Sequence, residues 1–443
     1  MKRIAIFIDG TWNRPDAKHP TNVLRLARCV THYDRDMDMP QHVMYFPGVG
    51  SDNGNNVASR MLDRWFGGAL GWGLIDLVEE AYRNLVFTYE PGDEIYLFGF
   101  SRGAFAARSL AGMIRSCGIC PPSHMHRIPE AVQRYISRDK RTKPDTPESH
   151  LWREKFAPHT ATSTEELRSR LERGAGDQPI LLNIDYIGVW DTVKALGIPN
   201  FVPGATYFNA KYSFHDHELS SSVLSARHAI ATDERRKTFV HSDWTNLNTL
   251  NGDKADRDPC YLQQWFPGNH GCVGGGGGRV DLSSITLHWI AQGAEKAGLK
   301  LSWEQMDHEA ERRDPINGKL DNKFGPAGLF SVMNMITVDR DGPKETQNLS
   351  VAALDRLRGR PDYRPTTLNF VLDEVVDKTA AEVAHLRDML VARDGGPTHE
   401  LGSTLRPRDW EPPKDAAQDF PHSDGWPTPP QAGGDPRPES PQP

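Results

Sequence analysis

YLFGFSRGAF, residues 96–105, is an apolar run that stops at Gly99-Phe100-Ser101-Arg102-Gly103 and passes into AFAARSLAGMI, which has helical periodicity. A serine between two glycines, where a strand hands over to a helix, fits a sharp and strained turn. The glycines remove the Cβ atoms that would clash as strand and helix close on each other. The strain lifts the hydroxyl into the open above the carboxyl edge of a sheet. The bare G-x-S-x-G spacing is a weak signal; the strand-like EIYLF before it and the helix-like residues after it supply the context such a turn needs. The competing reading is a glycine-rich tight turn whose serine caps the helix.

Outward from this junction, β-branched and aromatic runs alternate with segments of helical period. Strand-like runs are 3–8, 42–46, 94–100, 180–190 and 261–266; helix-like stretches are 21–33, 69–89, 102–117, 219–231 and 282–297. Strands separated by helices predict an α/β fold with a mainly parallel sheet covered on both faces. A charged, proline-containing stretch at 121–179, with short amphipathic segments at 129–137 and 164–173, is longer than a crossover requires. It reads as an insertion on the rim, a lid or a partner surface. The organisation expected is a catalytic domain over 1–300, a C-terminal extension over 301–393 with a last helix near 379–392, and a tail over 394–443. The tail is expected to be disordered, since the final 50 residues hold 12 of the 33 prolines.

Bulk properties narrow the function classes. A net charge of −7 over 443 residues carries no basic footprint, which argues against a nucleic-acid partner. MKRIAIFIDGTWN reads as a first strand and not a signal peptide, and no apolar run reaches the roughly 18 residues of a spanning helix. The expectation is a protein made soluble in the cytoplasm. Five irregularly spaced cysteines do not form a disulfide framework, and Cys117 and Cys120, a lone C-x-x-C, read as buried small apolar residues.

A serine needs a base, and the base an acid to orient it. On an α/β-hydrolase sheet these follow in the order Ser, acid, His. YIGVWDTVKALG ends a strand at Asp191, and WFPGNHGCVGGGGGR places His270 in a glycine-rich loop after another strand. The spacings of 90 and 79 residues leave room for intervening strands. Asp191 could instead be a cap or turn residue, and His270 a surface loop histidine. Asp233, in ATDERRKTF, is the alternative acid, although Glu234, Arg235 and Arg236 beside it suit an ion-pair network. For the oxyanion, Arg102 offers the N–H of a helix start, and Gly10 or Thr11 of DGTW a second N–H; a plain strand-ending turn is the alternative there. FIDGT lacks the aspartate of a phospho-enzyme because Phe7 occupies that place. GCVGGGGGR lacks the Lys-Ser/Thr of a phosphate loop, so no nucleotide is expected.

FIDGTWN, FPGVGS, GGALGWGL, PGDEIYLFGFSRGAFAARSLAGMI, GVWDTV, DERR and WFPGNHGCVGGG run in order over roughly residues 1 to 290. Together they resemble the uncharacterised α/β-hydrolases that include the catalytic domain of type VI secretion phospholipase effectors. The resemblance implies a serine esterase or lipase with phospholipid as substrate class. By position it places Ser101 on the nucleophile, Asp191 on the aspartate of G-V-[FW]-D-T-V and His270 on the histidine of F-P-G-x-H. The chain departs from the family at Cys272, which stands where H-x-D-V-G-G-G has aspartate. The expected chemistry is an acyl-enzyme without metal or organic cofactor. Trp65, Phe66, Leu70 and Trp72 are candidates for peripheral membrane contact, against a buried helix as the plainer use. The resemblance also implies export by a type VI secretion system, while a protein partner bound through 121–179 or the tail is the use a binding scaffold would make of those stretches. Two other readings stand beside this one: a non-catalytic scaffold that keeps the turn, and an esterase for small soluble esters.

Overall fold

In the computed structural model, residues 1–10, 13, 15–48, 69–174, 178–193, 218–237, 239–252, 259–322 and 337–394 are described, with only the backbone for 69–72. Thr11, Trp65, Phe66, the tail from 395 onward and the side chains of Leu70 and Trp72 therefore lie outside the described residues.

The strands among these are β1 (Arg3–Ile8), β2 (Tyr33–Asp34), β3 (Met39–Phe46), β4 (Glu94–Phe100), β5 (Thr160–Ala161), β6 (Ile180–Leu181), β7 (Tyr186–Trp190), β8 (Ala226–Ala231) and β9 (Tyr261–Phe266). Seven form one sheet in the order β2-β3-β1-β4-β7-β8-β9. It is parallel except for the short edge strand β2. The helices are α1 (Asn22–Cys29), α2 (Ala69–Thr88), α3 (Arg102–Cys117), α4 (Ile128–Ile136), α5 (Pro147–Phe156), α6 (Thr164–Glu172), α7 (Leu247–Asn251), α8 (His270–Gly274), α9 (Ser283–Lys296), α10 (Trp303–Glu309), α11 (Val351–Gly359), α12 (Asn369–Asp377) and α13 (Ala380–Arg393).

Strand β1 shows why the sheet is covered twice. Ile4, Ile6 and Ile8 enter one core with α2 and α3, while Ala5 and Phe7 enter another with α1, α9 and α10. Phe7 stacks on its cross-strand partner Phe98 at 4.5 Å. Burying one such side chain contributes about 1.5–3 kcal/mol. The α/β arrangement inferred from the alternation is the one observed. Chain order and sheet order part company at β1, which has β3 on one side and β4 on the other. A crevice opens beyond the carboxyl ends of strands at such a switch, and Ser101 lies there.

Two expectations need correction. The stretch 219–231 is not a helix: its second half is β8, hydrogen-bonded between β7 and β9 and buried along its whole length. ARHAIA is rich in alanine and has one β-branched residue, so its intrinsic preference is helical; two flanking strands and burial on both faces override it. The run 180–190 is two strands, because β6 pairs with β5 in a separate small sheet and only β7 joins the main one. The stretch 121–179 packs on the far end of α3, with Ile128, Ala131 and Phe156 in the same core as α2 and α3. Inside it, Glu166 is clasped between Arg153 and Arg170, all three fully buried.

Candidate functional site

Ser101 follows β4 with φ 60° and ψ −122°. A non-glycine residue held there stores strain of about 1–3 kcal/mol. The flanking glycines are sterically obligatory: a Cβ on Gly99 would lie 2.4 Å from the carbonyl oxygen of Gly103, and one on Gly103 would lie 2.2 Å from that of Ile8. The helix start is thus pressed against the end of β1. Ser101 makes no side-chain cap to α3, so the capping-serine reading fails. Its N–H donates to the carbonyl of Trp190 at 3.0 Å. Arg102 is the first residue of α3, the position whose N–H precedes the intrahelical ladder and carries the positive end of the helix dipole.

Strands β4 and β7 pair with Phe100 opposite Trp190, so Ser101 and Asp191 leave neighbouring strands at the same level. Asp191 also has positive φ, 37°. Its buried carboxylate accepts the N–H of Ala231 at 2.9 Å on Oδ1 and His270 Nδ1 at 2.5 Å on Oδ2. Arg340 clamps it from behind, Nη1 to Oδ1 at 2.6 Å and Nη2 to Oδ2 at 3.0 Å. Asp191 is fully buried, not a surface turn, and caps no helix among the described residues. Burial by itself would raise its pKa; the Arg340 charge and the His270 bond outweigh that and hold the carboxyl well below the usual range. The alternative acid, Asp233, points elsewhere: its Oδ2 accepts the N–H of Gly268 at 2.6 Å and the hydroxyl of Tyr363 at 2.8 Å.

His270 opens α8 and is fully buried, not a surface loop residue. Its N–H donates to Glu234 Oε2 at 3.2 Å. Its ring lies 4.5 Å from that of Phe100 and meets Phe239 edge-on at 4.7 Å. Burial pushes the imidazole pKa down against the pull of Asp191. The glycine run after it has a packing reason: a Cβ on Gly274 would lie 1.9 Å from the Phe100 ring. Through Phe100, the residue before Ser101, the imidazole is tied to the turn that carries the hydroxyl.

Gly10 lies beside this turn, but its N–H donates to its neighbour Asp9 Oδ1 at 2.7 Å. Asp9 Oδ2 accepts the hydroxyls of Thr21 at 2.6 Å and Tyr45 at 2.7 Å. Of the candidate pair Gly10 and Thr11, the Gly10 N–H is thus committed to Asp9, and Thr11 lies outside the described residues. Cys117 and Cys120 are buried free thiols, pushed up to about 12 and about 11 mainly by burial. Cys272 is buried with Sγ donating to the carbonyl of Lys319 at 3.3 Å. Arg340, Glu234 and Phe239 escaped the sequence reading as site residues. In the sequence Glu234 reads only as part of an ion-pair network, and it does pair with Arg236; VDRDGPK around Arg340 carries no periodicity or motif that marks it.

Residues 2–293 match the family described as T6SS, phospholipase effector Tle1-like, catalytic domain. Over 253 residues the chain is 29% identical to an uncharacterised protein of Saccharomyces cerevisiae, a match covering 56% of this chain and 33% of that protein. The match thus spans about a third of that relative's length. Among solved structures, an uncharacterised protein from Pseudomonas aeruginosa aligns over 89% of this chain and 62% of that one, with 16% identity and a TM-score of 0.33. A Tle1 effector bound to the VgrG spike of the type 6 secretion system aligns over 89% and 84%, with 13% identity and a TM-score of 0.39.

Proposed function

Because the chain belongs to the Tle1-like family of type VI secretion phospholipase effector catalytic domains, we propose that it is a serine lipase that cleaves a carboxylic ester of phospholipid through an acyl-enzyme on Ser101. The observation that carries this reading is the bond from His270 Nδ1 to an ionised Asp191 that leaves the strand next to the one ending at Ser101. With Nδ1–H donated to Asp191, Nε2 is the basic nitrogen. It takes the Ser101 proton as Oγ attacks the ester carbonyl, and Asp191 stabilises the imidazolium that forms. The N–H of Arg102, at the start of α3, receives the oxyanion. As the tetrahedral species collapses, His270 returns the proton to the departing alcohol oxygen. A water deprotonated by the same nitrogen then releases the fatty acid. No step needs a metal or organic cofactor.

Phospholipid as substrate brings peripheral membrane contact with it. No helix among the described residues is long and apolar enough to cross a membrane. Export by a type VI secretion system and a protein partner bound through 121–179 or the tail belong to the same proposal. The test compares wild type with Ser101→Ala on a short-chain p-nitrophenyl ester and on phospholipid vesicles, with fluorophosphonate labelling in parallel. Vesicle hydrolysis and labelling are expected in wild type and absent in the variant. Cleavage of the soluble ester alone would move the substrate to small esters. Absence of both activity and label in wild type would leave a binding scaffold.

A further inference from the structure

The carboxylate of Asp191 is held on both oxygens by one side chain that comes from outside residues 2–293. We propose that Arg340 is a positioning residue of the ester-cleaving site, fixing the plane of the Asp191 carboxylate and through it the direction of the His270 ring; this rests on the triad reading above.

The geometry is that of a two-pronged guanidinium on a carboxylate, the pairing that fixes orientation as well as distance. Arg340 is itself pinned. Nη1 also donates to the carbonyl of Ala231 at 3.0 Å, and Nη2 to that of Phe239 at 2.7 Å. Arg340 therefore joins the turn after β7, the end of β8 and the segment whose phenyl ring meets His270 edge-on. Asp191 sits on a strained backbone, φ 37°, and is fully buried. Without that fork the buried carboxylate keeps its charge toward the imidazole but is free to turn out of line with Nδ1. With Arg340 on its far side it stays ionised and keeps Oδ2 toward Nδ1.

The other titratable groups facing the pair are Glu234 and Arg236 beside His270, Asp243 near Arg340, and His228, neutral, near Asp191. Removing the Arg340 cation leaves the Asp191 charge uncompensated toward the imidazole. The imidazolium is then favoured, and the acid limb of kcat/KM moves to higher pH.

The experiment uses the full chain as wild type, Arg340→Gln and Arg340→Lys. Each is checked for a cooperative thermal transition and assayed for kcat and KM on the p-nitrophenyl ester across pH. Arg340→Gln is expected to lose about 10- to 100-fold in kcat, the range typical of groups that orient a functional side chain from behind. KM should be unchanged and the acid limb displaced upward. Arg340→Lys keeps the cation and loses the fork, so a smaller kcat loss with the acid limb in its wild-type place is expected. A folded Arg340→Gln with wild-type kcat and acid limb overturns the proposal, as do equal kcat losses in both variants with no movement of the limb. Should the glutamine variant not fold, the lysine variant decides: several-fold lower kcat at constant KM supports the role, and kcat within twofold of wild type removes it. An active wild type beside an indifferent Arg340→Gln sinks this proposal alone. A wild type without activity or fluorophosphonate label sinks the triad reading and this with it.

Discussion

Asp191 Oδ2 stands 2.5 Å from His270 Nδ1, while Asp233 Oδ2, on the turn after the next strand, is committed to Gly268 and Tyr363. Asp191→Asn is therefore expected to lower kcat by at least ~10³-fold. It also leaves the Arg340 cation buried without its counter-ion, which costs about 3–5 kcal/mol of stability. Asp233→Asn should retain turnover and lose about 1–3 kcal/mol through two weakened hydrogen bonds. Turnover and urea denaturation of both variants check this. A greater loss of turnover in Asp233→Asn would reverse the assignment of the acid.

The strained backbone at Ser101 predicts a trade between stability and activity. Ser101→Gly relieves the positive φ and should be more stable than Ser101→Ala by about 1 kcal/mol, with neither variant hydrolysing ester. Gly103→Ala is expected to unfold the elbow, since its Cβ has no space against the carbonyl of Ile8. Thermal melts of the three variants measure the order. An alanine tolerated at 103 would mean that the helix start can draw back from β1.

How far the sequence could be read depends on the range of the interactions involved. The elbow was legible because its cause is local: glycines two residues either side of a strand-to-helix turn. Asp191 and His270 were legible as strand-end residues; the charged neighbours of Asp233 only weakened it as the alternative, and which carboxylate meets the imidazole depends on where each turn points after the sheet assembles. Strand β8 reads as helix in the sequence because alanine carries no β signature and its burial comes entirely from its neighbours. Arg340 was invisible, one cation among 52, because only the folded chain shows which carboxylate it meets.

Two buried groups should impose opposite pH dependences. His228 accepts the N–H of Thr192 on Nε2 at 3.2 Å, so its Nδ1–H donates to Gln263 Oε1 at 3.0 Å. Burial first, then Arg108, pushes its pKa down to about 4. Between pH 6.5 and about 4 the unfolded chain takes up a proton that the native His228 refuses, so its contribution is lost as pH falls, up to about 3 kcal/mol. Asp9, raised to about 6 chiefly by burial, binds a proton in the native state that the unfolded chain lacks, so its contribution grows over the same descent. The stability of His228→Gln should gain on wild type from pH 7 to 4, and that of Asp9→Asn should lose ground. Urea midpoints across pH measure both, and slopes of one sign would contradict the assignment.

The clasp inside 121–179 carries its own test. Glu166 neutralises two buried guanidiniums, those of Arg153 and Arg170, and Arg153 Nη1 also reaches the carbonyl of Ser116 at the end of α3 at 3.1 Å. Glu166→Gln should destabilise the chain by about 3–5 kcal/mol. Chemical denaturation gives the figure, and a change below about 1 kcal/mol would show that this stretch is held by its apolar contacts alone.

A carboxylate at 191 paired with a guanidinium at 340 also sets a timetable. During synthesis the turn carrying Asp191 is made 149 residues before its partner. At about 5–20 residues per second that interval is roughly 7 to 30 seconds. Until residue 340 has been made, the Asp191 carboxylate lacks this cation, so the ion pair can close only after the segments carrying Ser101, Asp191 and His270 have all been synthesised.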